Sequence, residues 1–320
     1  MNARRVLALA ALVGVPLVIG GAWAQTYPAR SVRVLVGLAP GGGTDTVARV
    51  MTQKLSDVLG QSFVVDNRPS AGGNVAGELA ARAAPDGYTL IVVTPTHVVN
   101  PSLYRDLRYD AIKDFAPIVR LVDAQYYLSV TNSLPVATLG ELLALARSRA
   151  QPLSYASSGI GSANHLSGEL FRTMAGIQLS HVPYKGGAPA LTALIAGEVQ
   201  VSFTSGVAIA HAKAGRLKTL AVTGSKRTPL APDIPTIGEA GVPGYEVVGW
   251  YGMCAPARTS KAVVERLNGT INRVLPELRE RYAGLGMDLG GGTPEEFGSF
   301  LKQEREKWAR VVKLSGAKVE

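Results

Sequence analysis

Val34-Leu35-Val36-Gly37-Leu38-Ala39-Pro40-Gly41-Gly42-Gly43-Thr44-Asp45 is an apolar run that stops in a glycine-rich turn, after which the period of the sequence changes. Residues 31–38 read as a buried strand. From residue 44 to 59, Val47, Val50, Met51, Leu55, Val58 and Leu59 share one face of a helix. The passage has a counterpart in the second half. There Ser154-Tyr155-Ala156 leads through Ser157-Ser158-Gly159-Ile160-Gly161-Ser162-Ala163-Asn164-His165 into a second helical pattern. Strand, glycine turn and helix in that order build a parallel sheet with right-handed crossovers.

The neighbouring sequence continues the alternation. A strand at 63–65, a helix at 73–84 and a strand at 88–93 complete a βαβαβ unit. Extended runs at 118–122 and 126–130 carry the chain into a second unit, with helices at 139–149, 162–175 and 188–196 between strands at 153–156, 179–182, 200–203 and 217–222. Thr138 and Glu141 have the spacing of a capping box. Residues 246–253 lead back to the first unit, and helices at 261–282 and 294–314 close the chain, the second opened by Thr293-Pro294-Glu295-Glu296. The expected fold class is α/β, with two domains of mainly parallel sheet. The first domain is discontinuous, 25–123 with 249–320, and the second is 124–248. A chain this long exceeds what one core usually serves.

Residues 1–24 read as an export signal. Arg4 and Arg5 precede an apolar run at 6–19, and Ala22 and Ala24 put small residues at the −3 and −1 positions of a cleavage site. The run contains Gly14 and Pro16 and is shorter than the roughly 20 apolar residues of a spanning helix. Cleavage is expected before Gln25, delivering the chain to the periplasm. With Arg4 and Arg5 removed from 33 Lys and Arg, against 24 Asp and Glu, the mature net charge is about +7. The charges are scattered and no basic run interleaves with aromatics, which argues against nucleic-acid binding. A positive field suits anionic solutes. Cys254, the one cysteine, reads as a buried small hydrophobe.

The two glycine turns are the candidate site. Glycine lets backbone approach a ligand closely, and a helix start presents unpaired N–H groups and the positive end of its dipole. In an open α/β sheet such turns lie at the carboxyl ends of the strands, where ligands bind. Each is a candidate carboxylate cradle, with backbone at Gly42 and Gly43 on one side and at Gly161 and Ser162 on the other. Asp45 is either a cap turned away from the cleft or a partner for a ligand amine or hydroxyl. Thr94 and Thr96, ending the third strand, are placed for polar contact, and His165 for donation to a ligand. Trp250-Tyr251 either floors the cleft or packs between domains. Neither turn has the glycine spacing of a dinucleotide fingerprint or the Gly-Lys-Ser/Thr of a P-loop. The four histidines show no metal spacing and no serine sits on a Gly-x-Ser-x-Gly turn. No cofactor and no metal are expected, and no catalytic set converges.

With these turns in view, the chain resembles the Bordetella uptake gene (Bug) family, the extracytoplasmic solute receptors of tripartite tricarboxylate transporters. The resemblance covers essentially the whole mature chain. It is carried by Tyr27-Pro28-Ala29-Arg30, the turn at 39–45, Val65-Asp66-Asn67-Arg68-Pro69, Pro85-Asp86-Gly87-Tyr88-Thr89-Leu90, the second turn through His165-Leu166, and His181-Val182-Pro183-Tyr184-Lys185-Gly186. Pro235-Thr236 with Glu239-Ala240-Gly241, Trp250 with Gly252, and Thr293-Pro294-Glu295-Glu296-Phe297 complete it. Ser70 stands where the family's usual Pro-Gly-Ala-Gly-Gly has its first glycine. The resemblance implies a periplasmic-binding-protein fold whose two domains, joined by two crossovers, close on a small carboxylate ligand. Ligand contacts carried over are Gly42, Gly43, Thr44 and Asp45, then Ser157, Gly161, Ser162 and His165. It also implies delivery to the membrane subunits of a tripartite tricarboxylate transporter, by a receptor taken to act as a monomer. A receptor for a signalling partner and a periplasmic enzyme on the same fold are the alternative functions.

Overall fold

The computed structural model describes residues 27–315; the signal segment and the expected start at Gln25 lie outside them. In the first half β1 (Val32–Val36), α1 (Gly43–Leu59), β2 (Phe63–Asn67), α2 (Asn74–Ala81) and β3 (Thr89–Val93) form the expected βαβαβ unit. A helix α3 (Pro95–Leu103) follows, and then the long strand β4 (Phe115–Gln125). The chain crosses into β5 (Tyr127–Thr131), α4 (Leu139–Ser148), β6 (Leu153–Ser157), α5 (Ala163–Ala175) and β7 (Leu179–Pro183). Next come α6 (Gly187–Ala196), β8 (Val201–Thr204), α7 (Val207–Lys213) and β9 (Leu217–Val222). It returns along β10 (Val248–Pro256) and ends with α8 (Lys261–Val274), α9 (Arg279–Ala283), β11 (Met287–Gly291) and α10 (Pro294–Ser315).

Two sheets result, one of order β11-β4-β10-β3-β1-β2 and one of order β7-β6-β8-β5-β9. Each is mixed. β1 runs parallel to β2 and β3, and β6 parallel to β7 and β8, as helical crossovers require. The strands that receive the chain after each crossing run the other way: β10 is antiparallel to β3 and β4, and β5 is antiparallel to β8 and β9. β4 and β10 pair from Gln125 opposite Val248 to Phe115 opposite Pro256, so both crossings leave the first sheet side by side.

Four elements differ from the sequence reading, each for a local reason. Helix α3 is short, carries Pro95 in its first turn and Pro101 inside, and has little helical propensity. Packing holds it, with Val98 and Val99 fully buried. Helix α7 has only seven residues, too few for a periodic signal. The helix expected over 261–282 ends as α8 and resumes as α9 after a 3-10 turn at Leu275–Leu278, because Pro276 has no N–H to continue the ladder. β11 ends in glycines, which read as loop, yet it pairs antiparallel with β4.

One apolar cluster runs through both halves. It joins Leu35 and Val93 of the first sheet, Leu128 and Phe203 of the second, and Trp250, Phe297 and Trp308. Within it Glu304 of α10 accepts from both Trp250 Nε1 (2.9 Å) and Trp308 Nε1 (2.8 Å) through a single carboxylate oxygen. This interaction pins the last helix to a crossing strand. Glu304→Ala should leave two buried indole donors without an acceptor and lower the unfolding free energy by about 2–5 kcal/mol. Glu304→Gln, which keeps an acceptor, should cost distinctly less; urea unfolding followed by circular dichroism distinguishes the two.

Candidate functional site

The segments that follow the carboxyl ends of β6 and β8 approach the first half of the chain. Two glycines mark close approaches between the halves there. A Cβ placed on Gly161, just after β6, would lie 2.6 Å from Leu103 Cδ1 of α3, and one on Gly206, just after β8, would lie 2.6 Å from Leu285 O. Gly161 has φ +78, a conformation suited to glycine. In this structure it keeps the second turn low enough for α3 to pass.

The first turn is exposed from Leu38 to Gly43 and is shaped from beneath. Asp45, only 3% exposed, accepts from Gly41 N (2.9 Å) and Arg49 Nε (2.8 Å) on one oxygen and from Asn67 Nδ2 (3.0 Å) on the other. Its carboxylate is therefore directed at the turn's own backbone and at two neighbours. Burial alone would raise its pKa, but Arg49, the Gly41 N–H and Asn67 outweigh it and hold the carboxyl below the usual range. Gly43 lies over Tyr251, whose hydroxyl would be 2.7 Å from a Cβ there. Trp250, on the opposite face of β10, packs into the apolar cluster.

Helix α1 starts at Gly42 with no side-chain cap, so the first-turn N–H groups find no side-chain acceptor. Thr44, Thr94 and Thr96 line one recess with Gly37, Gly72 and Gly73. Thr94 Oγ1 and Thr96 Oγ1 lie 2.8 Å apart and share a hydrogen bond.

The second turn is built differently. Ser162 caps α5 by accepting from His165 N (3.3 Å), and its oxygen lies 2.5 Å from Gly159 O and 2.6 Å from Asn164 Oδ1, with one proton to share. Gly161 N donates to His165 Nδ1 (3.1 Å) and Ser162 N to Gly159 O (3.2 Å). Both N–H groups of the sequence-based cradle are thus engaged inside the turn. With Nδ1 accepting, the His165 proton belongs on Nε2. Ser157, fully buried, bonds Gly159 N (3.1 Å) and His181 Nε2 (2.6 Å). His181 lies outside the site residues expected from sequence, yet its ring lies 4.2 Å from that of His165. No sequence spacing links these two histidines; the parallel pairing of β6 with β7 brings them together.

Among known proteins, the TctC family model, described as the tripartite tricarboxylate transporter family receptor, matches residues 47–317. Protein BugT of Bordetella pertussis is 33% identical, covering 100% of both chains. The structure of R. palustris Rpa4515 with adipate is similar at 39% identity and a TM-score of 0.87, over 92% of this chain and 100% of that one. MatC from Rhodopseudomonas palustris with bound malate is similar at 34% identity and a TM-score of 0.82, over 89% and 100%.

Burial, the largest cause in each case, pushes the pKa values of His97, His165 and His181 down from 6.5 to about 4. These imidazoles are neutral when folded and take up protons near pH 6.5 when unfolded. Their contribution to stability is complete above about pH 6.5 and is lost as the pH falls toward 4. Unfolding free energies measured at steps across that window should decline with acidification, and His181→Asn should flatten the slope.

Proposed function

The chain belongs to the TctC family, the receptors of tripartite tricarboxylate transporters, and from that premise we propose that it is a periplasmic, non-catalytic receptor for a small carboxylate-bearing solute. The observation that carries this reading is the uncapped N-terminus of a 17-residue helix, whose Thr44 lines a recess with Thr94 and Thr96. A carboxylate there meets peptide N–H groups and a favourable dipole. The relatives with adipate and malate support the solute class. The lobes of the clamp are 25–123 with 249–320, and 124–248. Backbone at Gly42, Gly43 and Thr44 holds the carboxylate, with Thr94 and Thr96 beside it. Asp45 keeps the first turn in shape. From the other lobe His165 donates through Nε2, while Ser157, Gly161 and Ser162 set the turn that carries it. The leader is cleaved before Gln25, and the loaded monomer docks on the membrane subunits of a tripartite tricarboxylate transporter.

One contact favours an enzyme, the 2.6 Å approach of Ser157 Oγ to His181 Nε2. Ser157 Oγ, however, is tied into its own turn, accepting from Gly159 N and lying 3.2 Å from Gly159 O, which makes it a structural group of the turn and not a free nucleophile.

A thermal-shift screen of an organic-acid library should find a binder. At about 100-fold over its Kd, linkage of roughly 2.7 kcal/mol should raise the Tm by about 5–10 °C. Prolonged incubation should return the acid unchanged; dose-dependent conversion to a product would establish the enzyme instead. Gly42 has φ −80 and only Ala39 O within 3.5 Å of an added Cβ, so Gly42→Val should fold. It should nevertheless weaken binding at least tenfold by shielding the helix start, and Thr44→Ala should do less. Wild-type affinity in folded Gly42→Val, measured by calorimetry, would place the solute elsewhere.

A further inference from the structure

Asn100 of α3 is fully buried, and only half of its side chain is in use. Nδ2 donates to Gly72 O (2.8 Å) and Asn74 Oδ1 (2.5 Å). Oδ1 has no partner among the described residues. A flipped amide would set oxygen against the Gly72 carbonyl, so the orphan is the oxygen. It lies between the two lobes: a Cβ on Gly72 would stand 2.7 Å from it, and one on Gly161 3.8 Å. Both glycines have positive φ, 63° and 78°, and neither places a Cβ against the oxygen. Gly72 also lines the recess that contains Thr44, at the uncapped start of α1. A buried acceptor without a donor is unfavourable, and a polar site built for a donor rejects analogues that lack one.

We propose that Asn100 Oδ1 is a specificity-determining acceptor that receives a hydroxyl carried by the solute close to its carboxylate, so that the receptor selects hydroxy acids over their unhydroxylated counterparts. The inference rests on the carboxylate-receptor reading. A hydroxyl fits better than an ammonium group, because Asp45, the carboxylate at the first turn, is already bonded to Arg49, Asn67 and Gly41. A charged amine would enter with no free counter-charge there.

The test is calorimetry on the full mature chain with four matched pairs: succinate and malate, glutarate and 2-hydroxyglutarate, propionate and lactate, phenylacetate and mandelate. Both enantiomers of each hydroxy acid are used. In every pair that binds, one enantiomer of the hydroxy acid should bind about ten- to a hundredfold more tightly than its counterpart. In Asn100→Ala the gap should close mainly through loss of the hydroxy acid, with circular dichroism confirming the fold. The wild-type comparison stands even if that variant does not fold. Equal affinities within the binding pairs would overturn the inference while leaving the carboxylate receptor intact. An equal loss of both members in folded Asn100→Ala would also overturn it, and would give the oxygen to a bound water. If no acid of the four pairs binds, the carboxylate reading fails and this inference fails with it.

Discussion

The antiparallel pairing of β4 with β10 is the constraint on which the rest of the molecule depends. These strands carry the chain out of the first sheet and back into it, and they are hydrogen-bonded to each other in its interior. Separating the halves completely would mean dismantling the sheet, whereas bending where the strands leave it preserves the ladder. At that level Gly249 lies against Tyr126, where a Cβ would approach the ring to 2.7 Å, and Gly224 lies as close to Gln125. The crossing is tightly packed and has little side-chain slack, so the relative placement of the two turns follows from the register of these strands. Glu304, gripping Trp250 from the last helix, extends that constraint to the end of the chain.

The two turns share a sequence pattern but not a construction. The first is held from below by one charged side chain and leaves its helix start uncapped. The second spends most of its N–H groups and hydroxyls on itself, through Ser157, Ser162, Asn164 and His165. By mechanics, the first resembles an electrostatic socket and the second a stiff wall. Gly161 shows the same division: its missing side chain makes room for Leu103, while its N–H is engaged by His165.

The alternation of strand and helix was legible because period and turn chemistry are local properties. The capping boxes at Thr138 and Thr293 form as their spacing implies. Mixed sheets were less legible, since the direction of β5 and β10 depends on which strands they join. Helix α3 escaped notice because tertiary burial outweighs its poor propensity. Its Asn100 drew no attention in the sequence for the same reason, as an unpartnered oxygen exists only once α3 is set against Gly72 and Gly161. Sequence alone allows Asp45 to be cap or contact; three specific donors, one of them 22 residues away, determine where its carboxylate points.

The uncapped start of α1 also bears on how such a receptor changes over generations. Peptide N–H groups are encoded by the fold, so no substitution except proline deletes one, although a branched side chain at Gly42 would shield them. An anchor made this way is insulated from most point mutations. The residues around it are free to drift, and a lineage can exchange one solute for another without passing through a form that binds nothing.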